Sequence, residues 1–260
     1  MIRFCTLFSS SSGNSAFISD GDTNLLIDAG VSASKILNSL KEIGIGADEI
    51  DGILVTHEHS DHIAGIGVLA RRYNIPVYAN EPTMTAITNF FGNFPDDCIR
   101  IIKTGESFAI RSAVVRSFKT PHDSAESVGY TVDMCNKKYS VATDTGCITK
   151  SMLASLARSE AVLIEANHDV DMLKNGKYPY VLKKRILSDN GHLSNDNCAW
   201  LATQLVLWGT GKIILGHLSE NNNTPVKAYE TVINKLNESS IKAGSDVLLA
   251  VAEKNKICEI

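Results

Sequence analysis

The 260-residue chain is poor in the residues that mark specialised protein classes. Its 6 prolines and 18 glycines are too few for a collagen-like or low-complexity chain, and its 6 cysteines form no CxxC pair. The scattered cysteines therefore argue against a disulfide-rich scaffold. No run of about 18 apolar residues occurs, so no segment is predicted to cross a membrane. The charged fraction of 21% and the hydrophobic fraction of 44% are instead typical of a globular protein.

An excess of positive charge is also missing. The 25 lysines and arginines stand against 29 aspartates and glutamates, which gives a net charge of −4 at pH 7. The chain as a whole therefore has no broad basic field with which to hold nucleic acid. Lys183, Lys184 and Arg185 form the only run of three basic residues, and such a run is ordinarily a solvated surface. A nucleic-acid partner would need a local basic patch or bound cations.

The first residues, MIRFCTLFSSSSGNS, do not combine the charged start, apolar run and small-residue cleavage site of a signal peptide. The cysteines are scattered along the chain, as expected of reduced thiols rather than of a disulfide framework. Both observations lead us to expect a cytoplasmic protein without a membrane partner.

Short apolar runs bounded by Gly, Asn, Asp or Pro alternate with helical patterns along the chain. The runs predict strands at 2–8, 15–19, 24–28, 52–56, 76–79, 99–102, 113–118, 128–134, 138–143, 160–164, 212–216, 246–251 and 256–259. Apolar spacing and capping residues predict helices at 33–43, 62–73, 82–91, 194–208 and 225–237. No linker or charge block interrupts this order. We therefore expect a single α/β domain over residues 1–260, built from two similar halves with sheets covered by helices.

The last two predicted helices have the clearest signals. Ser194 and Thr224 are suited to cap their first turns. Trp208 is expected to share the apolar face of the first of these helices, and Tyr229 is expected to point inward from the second.

The strongest chemical signal is the segment HEHSDH at 57–62, which directly follows a predicted strand. Alternate residues of an extended chain point the same way, so His57 and His59 can reach one ion. Asp61 and His62 lie where the chain turns into a helix and can face a second ion. Imidazole and carboxylate are ligands that zinc and similar divalent ions accept. Three histidines and an aspartate at the end of a buried strand indicate a metal site rather than a solvated loop.

The pattern HxHxDH in this setting resembles the metallo-β-lactamase superfamily. Later segments match that family's further motifs in order: TPHDS at 120–124, ATDTG at 142–146 and IILGHLS at 213–219. The resemblance implies the metallo-β-lactamase fold, a four-layer αββα sandwich of the α/β (α+β) class. It also implies two divalent ions held by seven side chains, which are His57, His59 and His122 on one ion, Asp61, His62 and His217 on the other, and Asp144 between them. So many ligands would be too many for a single ion.

Two further residues help to identify the branch of this superfamily that the chain resembles. Glu165 in AVLIEANHD follows a predicted strand, and His192 in DNGHLSN precedes a helix. The pair resembles the glutamate and histidine of ribonuclease Z, which implies that His192 serves the leaving oxygen while Glu165 orients it. A strand end and a neighbour of a helix cap are the structural alternative. With Asp61, these two residues are the predicted catalytic group.

The chain lacks the long, Gly- and Lys-rich arm with which ribonuclease Z clamps tRNA. The order of SSSSGNS, HEHSDH, TPHDS, ATDTG, EANHD and GHLSN is instead similar to the branch called YycJ, WalJ or VicX. That resemblance implies 5′-to-3′ exonuclease action on DNA, in which a metal-bound hydroxide hydrolyses the phosphodiester bond.

Three residues are weaker candidates for substrate binding. His168, in the same turn as Glu165, could contact a substrate phosphate or support His192, and a structural role is the alternative. Ser12 and Asn14 belong to a Ser/Gly-rich turn whose backbone N–H groups could receive a phosphate. A flexible hairpin loop is the alternative for that turn.

Other functions remain open at this stage. A small-molecule hydrolase acting on a thiolester, lactone or cyclic phosphodiester would use the same centre. A di-iron redox protein or a metal-binding regulator is disfavoured, because neither a flavin domain nor a glutamate replacing a histidine ligand is present. Zinc or manganese is expected in the two sites, with iron or nickel as alternatives, since the same ligands accept all four. DNA or another phosphodiester is the expected partner, and the oligomeric state is left undetermined.

Overall fold

The computed structural model describes residues 2–260, which contain two seven-stranded mixed sheets. The first sheet consists of β1 (Arg3–Phe8), β2 (Ser15–Ser19), β3 (Asn24–Ile27), β4 (Gly52–Leu54), β5 (Val77–Asn80), β6 (Ile99–Ile102) and β14 (Cys258–Glu259). Its spatial order is β14-β1-β2-β3-β4-β5-β6. Pairing is antiparallel from β14 to β3 and parallel from β3 to β6.

The second sheet repeats this plan. It consists of β7 (Ser107–Ile110), β8 (Ala113–Lys119), β9 (Val128–Met134), β10 (Lys137–Ala142), β11 (Ala161–Glu165), β12 (Lys212–Gly216) and β13 (Leu248–Val251), in the order β13-β12-β11-β10-β9-β8-β7. Pairing is antiparallel from β7 to β10 and parallel from β10 to β13. The two sheets therefore agree with the prediction of two similar halves.

Helices cover the outer faces of the two sheets or lie in the segments that connect the strands. They are α1 (Ala33–Glu42), α2 (Ser60–Ile63), α3 (Ile66–Tyr73), α4 (Glu81–Phe91), α5 (Lys150–Leu156), α6 (Val170–Asn175), α7 (Tyr180–Ile186), α8 (Asn195–Leu207) and α9 (Pro225–Glu238). No helix within residues 2–260 is long and apolar enough to cross a membrane.

Three apolar clusters fill the spaces between these layers. One cluster joins α1, α3 and α4 to the first sheet, and another joins α5, α8 and α9 to the second. The third lies between the sheets, where Leu25 and Leu54 of the first sheet pack with Tyr130 and Leu163 of the second. Within β3, Leu26 faces the helices while Leu25 faces the other sheet, because successive strand residues point to opposite faces. The result is the predicted αββα sandwich.

Most predicted elements are confirmed, and the exceptions have physical reasons. The predicted helix 62–73 is wrong as one piece, because it divides at Gly65, whose backbone N–H donates a 2.8 Å hydrogen bond to the Ala29 carbonyl oxygen. Its helical acceptor, the Asp61 carbonyl oxygen, instead accepts a 2.9 Å hydrogen bond from the Asn14 backbone N–H. The strand β7 and the helices α5, α6 and α7 were not predicted. Trp208 and Tyr229 are 41% and 39% exposed, so their predicted inward positions are wrong.

The topology brings the carboxyl ends of several strands to one edge of the sandwich. Parallel strands present these ends together, which is the usual position for sites in such sheets. His57 follows β4 in the first sheet. In the second sheet, Asp144 follows β10, Glu165 ends β11 and His217 follows β12. The predicted site residues are thus collected where the two sheets meet.

Candidate metal centre

Three imidazoles form one half of the centre. His57 Nε2 lies 3.1 Å from His59 Nδ1, and His122 Nε2 lies 3.3 Å from the same atom. His122 arrives from the second sheet, where it follows β8, whereas the other two belong to the turn after β4. The structure therefore brings together the three residues predicted to share one ion.

Asp61, His62 and His217 form the other half. His62 Nε2 lies 3.5 Å from Asp61 Oδ2, and His217 Nε2 lies 3.6 Å from that same oxygen. Asp144 is placed between the halves, with Oδ2 at 3.1 Å from His62 Nε2 and Oδ1 at 3.7 Å from His122 Nε2. All seven predicted ligands thus converge, and the carboxylate predicted to bridge faces both groups.

The backbone adopts an uncommon conformation at three positions of this centre. Asp28, Asp144 and His217 have φ values of 62°, 54° and 55°, in the left-handed region that residues other than glycine seldom enter. Thr145 N donates a 2.9 Å hydrogen bond to Glu165 Oε2 and so fixes the turn that presents Asp144. Such conformations cost about 1–3 kcal/mol each and are common at functional sites.

Asp28 is a further residue of the site, and the sequence motifs do not single it out. Its Oδ2 lies 2.7 Å from His62 Nδ1, and both groups are buried. Thr56 donates its backbone N–H and its hydroxyl to the two carboxylate oxygens, each at 2.8 Å. A carboxylate in this position holds the proton on Nδ1, which leaves the Nε2 lone pair for a metal ion. The sequence signal for Asp28 is its position as an acidic residue at the end of a buried strand. The neighbouring strand leads to the histidine cluster.

Glu165 plays the same part in the second sheet. Its Oε1 lies 2.8 Å from His217 Nδ1 and 2.8 Å from His192 Nδ1. The prediction that Glu165 and His192 form a pair therefore agrees with the geometry, and the link from Glu165 to His217 is additional. The His192 side chain remains 18% exposed, so its ring can be reached from outside.

Two further imidazoles are oriented in a similar way. His122 Nδ1 lies 2.9 Å from the Gly191 carbonyl oxygen, and His57 Nδ1 lies 3.0 Å from Thr56 Oγ1. Each contact favours a proton on Nδ1 and directs Nε2 into the centre.

The donor set fits divalent ions. His217 Nε2 and Asp144 Oδ2 are buried and have no hydrogen-bond partner within residues 2–260, whereas His217 Nδ1 is engaged by Glu165. Burial, reinforced by the neighbouring His62, holds the pKa of His57 well below its ordinary value. Burial also lowers the pKa of His122. Both rings are therefore neutral at pH 7 and able to bind metal.

The second half of the centre contains a protonated imidazole in the metal-free protein. Burial would lower the pKa of His217, but Asp144, Asp61 and Glu165 outweigh it and raise this pKa to about 10. Burial likewise opposes ionisation of Glu165, but His192 and His217 bring its pKa down to about 2. A metal ion must therefore displace a proton from His217 when it binds at neutral pH.

The Ser/Gly-rich turn between β1 and β2 is fixed to the half of the centre that contains His62 and His217. Asn14 Nδ2 lies 3.1 Å from His62 Nε2, and Ser9 Oγ accepts a 2.8 Å hydrogen bond from the His217 backbone N–H. These contacts argue against a flexible hairpin loop. Asn14 is buried and Ser12 is exposed, and substrate contact through either stays a prediction.

His168 lies in the loop after β11 with its ring 1% exposed. Neither ring nitrogen has a hydrogen-bond partner within the described residues, and burial lowers its pKa to about 4. The ring is therefore neutral at pH 7. A role in substrate binding stays a prediction.

Known proteins resemble this chain closely. The model of the beta-lactamase superfamily domain matches residues 23–217. The chain is 39% identical over 243 residues to exodeoxyribonuclease YycJ of Bacillus anthracis. The aligned region covers 94% of this chain and 92% of that protein. It is 39% identical over 246 residues to exodeoxyribonuclease WalJ of Streptococcus pneumoniae, covering 94% and 91%. The metallo-beta-lactamase fold protein YhfI of Bacillus subtilis superposes with a TM-score of 0.75 over 99% of both chains at 15% identity. The predicted fold and the predicted resemblance are confirmed.

Proposed function

The chain belongs to the beta-lactamase superfamily, and we propose that within it the protein is a 5′-to-3′ exodeoxyribonuclease with two divalent metal ions. The pairing of His192 with Glu165 beside the metal centre is the structural observation that supports this choice most strongly. The identity of 39% over most of the chain to proteins named exodeoxyribonucleases points the same way.

We propose that His57, His59 and His122 hold one ion, that Asp61, His62 and His217 hold the other, and that Asp144 touches both. When bound, two divalent ions would stabilise developing negative charge on phosphate oxygens and activate water at neutral pH. The imidazole-rich set suits zinc, and manganese is the second choice.

His192 is proposed to serve the leaving oxygen. Its Nδ1 is engaged by Glu165, so Nε2 is the atom left to face a substrate. Burial would lower the pKa of His192, but Glu165 and Asp144 outweigh it and raise this pKa above its ordinary value. The ring can therefore keep a proton near pH 7 and transfer it to the departing sugar oxygen. Glu165 orients that ring and, through His217, links the proton donor to the metal half-site.

Two broader proposals concern the whole chain. All six cysteines are free, which suits a reducing cytoplasm. The chain is also proposed to be one domain, because the cluster between the sheets takes side chains from both halves.

The test is product mapping with metal-loaded protein. DNA duplexes labelled at either end, with a 5′-phosphate or a 5′-hydroxyl, are incubated alongside S-lactoylglutathione, and Asp144→Ala serves as the inactive control. The proposal predicts stepwise loss of nucleotides from 5′ ends. Thiolester cleavage without release of nucleotides would instead identify a small-molecule hydrolase.

A further inference from the structure

We infer that the exposed surface around α7 binds the single DNA strand that leads to the metal centre, an inference that rests on the proposed function. The α7 surface consists of Lys174, Lys177, Tyr180, Val181 and Lys184. It includes part of the basic run whose ordinary interpretation is a solvated surface.

Positive charge is concentrated around α7, although the chain as a whole is negatively charged. Residues 172–188 contain five basic residues, Lys174, Lys177, Lys183, Lys184 and Arg185, and no acidic one. The whole chain, in contrast, has a net charge of −4. The segment is therefore the local basic patch that a nucleic-acid ligand requires, because phosphate contacts supply most of the sequence-independent affinity.

Most of this charge is unpaired and accessible. Lys174, Lys177 and Lys184 are exposed, and over residues 2–260 none of them forms an ion pair with a carboxylate. Lys183 Nζ donates a 2.7 Å hydrogen bond to the Lys174 carbonyl oxygen, which ties α7 to the end of α6. The contact anchors α7 to α6, and the charges of the exposed lysines remain free to contact phosphates.

Large side chains are exposed beside these lysines. Tyr180 and Val181 are each 79% exposed, the highest values among the large hydrophobic residues. Tyr180 and Lys184 are four residues apart and so share one face of the helix. An aromatic ring next to unpaired cations is the combination with which proteins stack the bases and follow the backbone of a single strand.

The far end of α7 touches the metal centre. Arg185 Nη2 donates a 3.0 Å hydrogen bond to Asp123 Oδ1, and that oxygen lies 3.5 Å from His122 Nε2. The His192 backbone N–H donates a 3.0 Å hydrogen bond to the Ile186 carbonyl oxygen. A strand lying along α7 would therefore be delivered to the side of the centre where His122 and His192 lie.

The test compares Lys177→Ala/Lys184→Ala and Tyr180→Ala with Lys41→Ala and Phe90→Ala, which remove exposed residues of α1 and α4. kcat/KM is measured with metal-loaded protein on a 5′-phosphorylated single-stranded oligonucleotide and on bis(p-nitrophenyl) phosphate. The α7 variants should lose about tenfold on the oligonucleotide, the usual order for a stacked base. The double variant should also flatten the slope of log kcat/KM against log salt by about 1.4, or about 0.7 for each phosphate contact.

The loss should be confined to the oligonucleotide, because the small ester does not extend beyond the metal centre. Oligonucleotide kinetics and a salt slope equal to wild type in the α7 variants would overturn the inference and leave the proposed function standing. A wild-type protein that hydrolyses the small ester but no oligonucleotide would overturn both.

Discussion

Replacing Asp28 by asparagine should weaken the half-site that contains His62. The wild-type carboxylate lies 2.7 Å from His62 Nδ1 in a buried environment and accepts a hydrogen bond from its N–H group. An asparagine that keeps the hydrogen bond from Thr56 N presents its NH₂ group to the ring instead. The proton of His62 then moves to Nε2, the atom that faces Asp61 and Asp144, and blocks metal binding there.

Removing a carboxylate that orients a metal-binding histidine lowers metal affinity by about 10- to 100-fold, or about 1.4–2.7 kcal/mol. We expect a loss of this size in Asp28→Asn. Competition with a chelating dye measures the affinity of each ion, and elemental analysis gives the ion content. Asp133→Asn, which alters an exposed carboxylate of β9, is the matched control. Equal affinity for both ions in Asp28→Asn and wild type would show that Asp28 does not set the protonation of His62.

Further predictions concern the other half-site and the proton donor. Asp61→Ala and His217→Ala should each reduce the ion content toward one per chain by elemental analysis, and two retained ions in both would contradict the ligand assignment. His192→Ala should keep both ions and lose about 10²–10⁴-fold in kcat, and an unchanged kcat would make the residue merely structural. Since Glu165 helps to raise the pKa of His192, activity should fall as pH rises through that raised value. Glu165→Gln should move this alkaline limb of kcat/KM to lower pH, and an unmoved limb would exclude His192 as the titrating acid.

The metal ligands could be predicted because they lie in short motifs at strand ends. His57 and His217 each follow an apolar run of strand length, and such runs specify both the element and its end. Parallel pairing aligns the carboxyl ends of β3 and β4 in the first sheet and of β11 and β12 in the second, and the packing of the two sheets brings these edges together. The partnership of Glu165 with His192, which the resemblance to ribonuclease Z implies, also agrees with the geometry.

Other features depend on tertiary contacts that no local pattern records. Asp28 is one acidic residue after an apolar run, and only its contact with His62 distinguishes it from an ordinary strand end. The helices α5, α6 and α7 have 7, 6 and 7 residues, too few turns to display an apolar stripe. Trp208 lies at the end of its helix, where neighbouring elements rather than periodicity decide exposure.

The proposed function requires that this chain assembles a two-ion centre that hydrolyses phosphodiesters. Metal-free protein titrated with zinc or manganese, with nucleotide release from 5′-phosphorylated DNA measured at each addition, tests the claim directly. Activity should rise until two equivalents have been added and then level off. Saturation at one equivalent, or full activity in the metal-free protein, would contradict it.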